Sequence, residues 1–342
     1  MQNKTTTLYL VRHGTTALND AMCLQGAYDE PLNEWGKAQG KCLTDYFKAI
    51  PIDIGVTSPL KRARQTLDYI LGERRERVPI IVDQRLREIE GGSFEKRSFA
   101  ELGMLWPGFM RTFKKTPGLW RFPGGESGAE VYARVVDGIL DIVGRHQGKT
   151  IAMASHGFAI QTWLNFVSHI PAENMREQVL GNVAVSKFTF DDKMNIHTDY
   201  IGDCSHLAPR LIRNYDWDAL AKPVPLLLGD FRARTFKKAE ELLGEKNIHF
   251  LKRDIIQAPL SAPEIVKLSE RYDGSAKAFL NTRGKKFRSL ELKEKTDEMS
   301  IQKAAEIIST DGALLRQPIL VLTDRIVIGH QKIASTLKHD SL

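Results

Sequence analysis

From the first residues onward, apolar positions recur by turns with the alternation of a strand and the spacing of a helix. TLYLVRH, residues 7–13, is a β-rich run that stops at Gly14. NEWGKAQGKCLTDYFKAI, residues 33–50, carries apolar residues at helical spacing. IDIGVTS (52–58) reads as a short strand, and PLKRARQTLDYILGERR (59–75) as a helix with Pro59 in its first turn, where a missing N–H does no harm. PIIVDQRL (79–86) is another short strand. Between Gly91 and Gly128 periodicity is weak and Gly, Pro, Phe and Trp are frequent, so a long, partly helical excursion is expected. AEVYARVVDGILDIVGRH (129–146) predicts a helix, TIAMASHG (150–157) a buried strand ending in a turn, and FAIQTWLNFVSH (158–169) the next helix. VAVSKFTFD (183–191) and NIHTDYI (195–201) close this half as a strand pair.

Near Asp216 the texture changes. YDWDALAKPVP carries two prolines and reads as a linker over 216–225, after a first domain of residues 1–215. A second α/β unit follows over 226–342. LLLGD and IHFLKRDI are its strands, FRARTFKKAEELLG and SAPEIVKLSERY its helices. A mixed helical stretch runs to about Thr310, then PILVLTD and RIVIGH form a β-hairpin and QKIASTLK a closing helix. The fold class is α/β: a three-layer, mostly parallel sheet with helices on both faces, followed by a smaller α/β domain.

Composition narrows the function. A 342-residue chain that is 42% hydrophobic can bury a sizeable core, and its longest apolar runs are too short to cross a bilayer. No membrane role is expected. The start lacks a cleavage-site pattern and reads as a first strand. Three cysteines, Cys23, Cys42 and Cys204, make no CxxC pair and no even disulfide set, so a reducing cytoplasm is the expected compartment. No His/Cys spacing matches a zinc site. The net charge of +7 favours anionic partners, but without a basic block or aromatic–basic interleaving no nucleic-acid binding is expected.

The chemistry concentrates at two strand ends. One reads LVRHG, the other MASHG. Sites in open α/β sheets lie where strands end, so these put His13 and His156 at one rim. Glycine after each lets the backbone turn and approach a ligand. Arg12 precedes His13, and Arg62 stands at a helix start in SPLKRARQT, where a guanidinium fork suits phosphate oxygens. Arg64 competes with Arg62 and reads as an exposed helix residue.

In order along the chain, LVRHGTTALN, LQGAYDEPLNEWGKAQG, SPLKRARQT, LREIEGGSFE, PGGES and ASHG resemble the histidine phosphatase superfamily, which includes the cofactor-dependent phosphoglycerate mutases. The resemblance spans about residues 7–207. It implies that His13 attacks phosphorus, with its other ring nitrogen held by a backbone carbonyl. It implies that Arg12, Arg62 and His156 surround the phosphoryl oxygens, that Asn19 adds a contact, and that Gly14, Thr15, Gln25 and Gly157 belong to the substrate site. Glu88 matches the acid that protonates the leaving oxygen, with a pKa raised by burial or a neighbouring anion, and Glu90 is its rival. No metal or other cofactor is implied, because arginines supply the positive charge. One departure stands out: the family often has W-E-G where this chain has Phe94-Glu95-Lys96, which bears on the loop's shape.

Mutases of this family carry a longer insertion and an L-N-E-x-x-Y-G segment. The shorter LREIEGGSFE form resembles the phosphatase branch, so the expected activity is hydrolysis of a phosphate monoester. The alternatives are mutase-type phosphate transfer and a catalytically silent protein that only senses phosphate. The substrate is expected to be a phosphorylated small molecule or a phosphoprotein. Trp106, Phe109, Met110, Phe113 and Trp120 are either a lid or packing for the excursion.

The C-terminal half resembles the arsenate reductase and Spx group, a thioredoxin-like fold, through LLLGDFRARTFKKAEELL, FLNTRGKKFRSL and LLRQPILVLTDRIVIGH. The family's reactive cysteine belongs near Ala233, and no cysteine follows Cys204, so thiol chemistry is excluded. Arg288 and Arg316 stand near the family's anion-binding arginines, and Pro318 matches a cis proline. The role left for this domain is to hold a protein partner or substrate, or to stabilise the chain.

Overall fold

The computed structural model describes residues 5–106, 108–176, 180–213, 223–272, 274–292 and 299–339. The chain divides into two compact units, residues 1–98 with 111–216 and residues 99–110 with 217–342. Most of the segment read as a linker lies outside the described residues.

The first unit is built on a six-stranded sheet in the order β3-β2-β4-β1-β5-β6. Its strands are β1 (Thr6–Arg12), β2 (Ile54–Thr57), β3 (Ile80–Val82), β4 (Thr150–Ser155), β5 (Val185–Phe190) and β6 (Ile196–Asp203). β1, β4, β2 and β3 run parallel, while β5 and β6 are antiparallel additions. The central strands are apolar on both faces, and Leu8, Leu10, Val11, Ile151 and Met153 are at most 1% exposed. Such runs demand a cover on each side. The helices Glu34–Phe47, Lys61–Leu71, Gly128–Arg145 and Gly157–Val167 provide it. Leu43, Phe47, Ala63, Leu67 and Ile70 pack with Tyr9 and Val11 of β1 in one core. On another helix, Val131, Val135, Ile139 and Ile142 form the buried stripe that the sequence spacing predicts.

β3 is shorter than the 79–86 expectation because Asp83 caps a turn at Gln84–Leu86, accepting from the Arg85 N–H at 2.8 Å. The excursion is partly helical, at Phe99–Leu105 and Phe109–Lys115. Phe113 and Phe122 are buried, and Phe113 stacks on Phe158 with centroids 5.8 Å apart. Phe122 meets Phe94 edge-on at 5.5 Å. These aromatics pack the later part of the excursion, from residue 111, onto the first unit.

The second unit has a four-stranded sheet, β10-β9-β7-β8. Its strands are β7 (Leu226–Gly229), β8 (Leu251–Asp254), β9 (Ile319–Val321) and β10 (Ile326–Ile328). β7 and β8 are parallel, and β9 runs antiparallel to both β7 and β10, the latter as the expected hairpin. Leu227, Phe236, Leu243, Leu320 and Ile333 form its core with the helices Arg234–Glu245 and His330–His339. The Gln317–Pro318 peptide is cis.

The helix Phe99–Leu105 lies far from this unit in sequence yet is part of it. Arg253, 5% exposed, donates to Glu101 of that helix at 2.9 Å and to Glu264 at 2.7 Å. Among the described residues no helix is long and apolar enough to cross a membrane.

Candidate active site

β1 and β4 are neighbours in parallel register, with Arg12 opposite Ser155. Each strand therefore delivers its next residue, His13 or His156, to the same rim. The His13 N–H donates to the Ser155 carbonyl at 2.9 Å, and the two rings stand 5.2 Å apart. β2, the neighbour of β4, leads into the helix whose second residue is Arg62. Three adjacent strand ends thus bring together residues scattered along the sequence.

His13 is 2% exposed, and its Nδ1 lies 2.7 Å from the Gly14 carbonyl oxygen. A carbonyl only accepts, so Nδ1 carries the proton and Nε2 keeps its lone pair. Burial, then the Arg62 and Arg12 charges, push the pKa of His13 well below the usual imidazole range. The ring is neutral at pH 7 and nucleophilic at Nε2.

Arg62 is fully buried. Its Nε donates to His156 Nδ1 at 3.2 Å, and its two terminal nitrogens to the Tyr28 and Gly26 carbonyls at 2.8 Å each. No carboxylate lies within salt-bridge distance of it among the described residues. Burial pushes its pKa down to about 10. His156 accepts from Arg62, so its Nε2 carries the proton and donates to Ser58 Oγ at 2.7 Å. Burial, then Arg62, also lower the pKa of His156. Arg64 is exposed, as expected of the competitor.

Arg12 donates to the Leu180 carbonyl, and its guanidinium passes beside Gly157, where a Cβ would sit 3.4 Å from Cζ. The arginine thus lies against the start of the Gly157–Val167 helix. Glu88 reaches the same helix start. Its Oε2 accepts from the Phe158 N–H and its Oε1 from the Ala159 N–H, each at 3.1 Å, and Oε1 also accepts from the Ile89 N–H at 3.0 Å. Glu90 is exposed and bonds elsewhere, through its N–H to Glu126 at 2.9 Å.

The remaining expected residues divide. Gln25 is 8% exposed, and its Oε1 has no hydrogen-bond partner among the described residues. Asn19 Oδ1 accepts from the Thr16 N–H at 3.2 Å and from Asn182 Nδ2 at 3.3 Å, so it fixes the loop after β1. Thr15 has both of its donors on Gln39 Oε1 at 2.9 Å, and the Gly14 N–H donates to Thr66 at 3.1 Å. The backbone and hydroxyl donors of Gly14 and Thr15 therefore hold the loop. Lys96 sits at φ 63°, the left-handed conformation that glycine adopts without strain, and so keeps the backbone a glycine would give. Its Nζ lies 4.7 Å from the centroid of the Tyr28 ring.

Sequence reasoning gives no role to Asn182 or Ser58. Asn182 Nδ2 donates to the His13 carbonyl at 3.0 Å from the loop before β5. Neither residue stands in a spacing that marks it, although Ser58 opens the SPLKRARQT block.

In the second unit, Arg316, Arg283 and Lys332 line a cleft of about 670 Å³ with Thr235, Asn281 and Gln317. Arg288 is not among its lining residues, and Arg283 is there instead. Ala233 is the N-cap residue of the Arg234–Glu245 helix, without a side-chain cap.

Comparison with known proteins agrees with this geometry. Residues 230–334 match the ArsC family. The probable phosphoglycerate mutase GpmB of Enterobacter sp. (strain 638) is 31% identical over 209 residues, 60% of this chain and 96% of that protein. The structure of Bacillus stearothermophilus YhfR superposes with a TM-score of 0.55 at 31% identity, covering 59% of this chain and 98% of that one. Phosphoserine phosphatase from Entamoeba histolytica, in complex with 3-phosphoglyceric acid, superposes with a TM-score of 0.52 at 26% identity, covering 59% and 100%. Residues 8–199 match the histidine phosphatase superfamily (branch 1), and the chain belongs to that superfamily.

Proposed function

We propose that this protein hydrolyses a phosphate monoester through a phosphohistidine formed on His13. The observation that carries the reading is the neutral His13 ring, its Nδ1–H tied to the Gly14 carbonyl at 2.7 Å and its Nε2 lone pair left for attack. Nε2 attacks phosphorus, an N–P bond forms and the P–O ester bond breaks. Glu88 gives its proton to the leaving oxygen. It then takes a proton from the water that cleaves N–P, releasing inorganic phosphate and restoring the ring. Arg12 and Arg62 stabilise charge on the phosphoryl oxygens, and the His156 Nε2–H turns from Ser58 to a phosphoryl oxygen. The substrate is a phosphorylated small molecule or a phosphoprotein.

Similarity to a probable phosphoglycerate mutase favours a second reading, in which the same phosphohistidine passes its phosphate to a sugar acid. One experiment separates the two. Wild type and His13→Ala are incubated in EDTA with p-nitrophenyl phosphate and a panel of phosphorylated metabolites. Phosphate release and interconversion of 2- and 3-phosphoglycerate are then measured. Phosphate release that His13→Ala lowers by at least ~10³-fold, with an acid-labile phosphoenzyme in wild type only, supports the phosphatase. Interconversion without phosphate release supports the mutase. Release equal in both proteins overturns the role of His13.

A further inference from the structure

The PGGES block, residues 123–127, has no role in the reaction as proposed, and its contacts suggest one. Gly125 packs where a Cβ would lie 2.1 Å from the Glu90 carbonyl oxygen, so the turn closes directly on the segment that carries Glu88. There the Glu126 N–H donates to the Glu90 carbonyl, and Glu126 Oε2 accepts from the Glu90 N–H, each at 2.9 Å. Ser127 then caps the Gly128–Arg145 helix, and Arg134 rises from it toward the same segment. Its Nε and Nη2 form a two-point pair with Glu126, both at 2.8 Å. Its terminal nitrogens donate to the carbonyls of Arg85 (2.8 Å), Arg87 (2.7 Å) and Glu88 (3.0 Å). Ser155 Oγ, one residue before His156, takes the Leu86 carbonyl at 2.8 Å. Four successive carbonyls, from residue 85 to residue 88, are thereby fixed from one side. The carboxylate of Glu88 faces the Phe158 and Ala159 amides on the other.

We propose that Arg134 and Glu126 are positioning residues for Glu88, setting the height and angle at which its carboxyl meets the leaving oxygen. Only an arginine has the planar fork to hold one carboxylate and three carbonyls together, and a lysine would keep the charge without that geometry. A shift of about 1 Å in a catalytic group costs on the order of 10²-fold in rate. The hydrogen bonds of Arg134 go to Glu126 and to the backbone that carries Glu88, and its charge also helps to lower the pKa of His156.

This inference rests on the reading of Glu88 as the acid, and its test separates the two. p-Nitrophenolate leaves without a proton, whereas an alkoxide needs one. Arg134→Met, Glu126→Gln, Arg134→Lys, Glu88→Gln and the double variant Glu88→Gln/Arg134→Met are assayed for kcat/KM on p-nitrophenyl phosphate and on an alkyl phosphate. Unfolding midpoints are measured alongside. Arg134→Met is expected to lose about 10²-fold on the alkyl phosphate, within the range of general-acid catalysis, and no more than about threefold on p-nitrophenyl phosphate. Arg134→Lys recovers part of the loss. In the Glu88→Gln background Arg134→Met is expected to add nothing, because the group it positions is gone. Equal losses on both substrates, or full additivity with Glu88→Gln, overturn the positioning role. If Glu88→Gln itself shows no preference for the better leaving group, the acid assignment falls and the inference with it. If wild type releases phosphate and Glu88→Gln behaves as expected, only the Arg134 result decides.

Discussion

Arg62 in the first unit and Arg253 in the second are both buried arginines, yet their partners differ in kind. Arg253, 5% exposed, holds two carboxylates, Glu264 at 2.7 Å and Glu101 at 2.9 Å. Arg62, fully buried, holds two carbonyls and an imidazole, all of them neutral. In the first cluster the arginine is paired directly with carboxylates. The second binds only neutral groups directly, and burial drives its pKa down to about 10 against the opposing pull of Glu88, Asp29, Glu30 and Glu95. With only neutral groups in direct contact, Arg62 suits the phosphate of the proposed reaction better than a structural ion pair would. A second contrast runs through the two units: the first buries His13 and His156 side by side, whereas no cysteine follows Cys204 in the other.

The strongest way to break this comparison is to remove each arginine in turn. Arg253→Met strands Glu264, which is 0% exposed, and is expected to lower the free energy of unfolding by ~3–5 kcal/mol in urea titrations. Arg62→Met removes a buried charge that has no direct ion pair and is expected to cost less than Arg253→Met. The reverse ranking would mean that Arg62 is structural. Inorganic phosphate sharpens the point: at 100 times its Kd it is expected to stabilise wild type by ~2.7 kcal/mol. That increment disappears in Arg62→Met and survives in Arg253→Met, and equal increments in both would remove Arg62 from the anion site.

Acid tests the neutral histidines. Burial first, then Arg62, hold His13 and His156 below the usual pKa in the folded state. The unfolded chain therefore takes up protons below pH ~6.5 that the folded chain refuses. Their contribution is fully present above pH ~6.5 and falls with acidification by up to ~1.4 kcal/mol per pH unit for each histidine, until the folded pKa is reached. Comparing unfolding of wild type and His13→Ala between pH 7.5 and 5.5 reads this directly, and identical slopes would contradict a neutral, buried His13. The smallest effect belongs to Lys96. Lys96→Gly is expected to gain up to ~1 kcal/mol by relieving the φ of 63°, with kcat/KM for p-nitrophenyl phosphate changed less than about twofold. A loss of stability would show that the contact with Tyr28 outweighs the backbone strain.

Much of this was legible in the sequence. Strand ends reading RHG and SHG forecast the histidine pair, because a parallel sheet puts consecutive strand ends on one rim. Arg62 was separable from Arg64 by helix position, and the structure buries one and exposes the other. Glu88 was separable from Glu90 by its motif spacing, and only Glu88 reaches the helix start. The loop donors were harder. The resemblance places Thr15 in the substrate site, but its hydroxyl and amide close on Gln39, a partner that only the packed helix Glu34–Phe47 supplies. The helix Phe99–Leu105 gives no sign in its own letters that it belongs with residues some 150 positions later, because the pairing rests on Arg253 meeting Glu101 across |i−j| of 152.

Local chemistry and periodicity are written residue by residue, so the sequence alone determined the two α/β units, the order of the elements, the histidines at two strand ends and the absence of a cysteine after Cys204. Long-range contacts carry no local signature, so only the tertiary structure decided which donors were already engaged. It also decided which buried arginine has no direct ion pair, and that Arg134 and Glu126 hold the backbone behind Glu88.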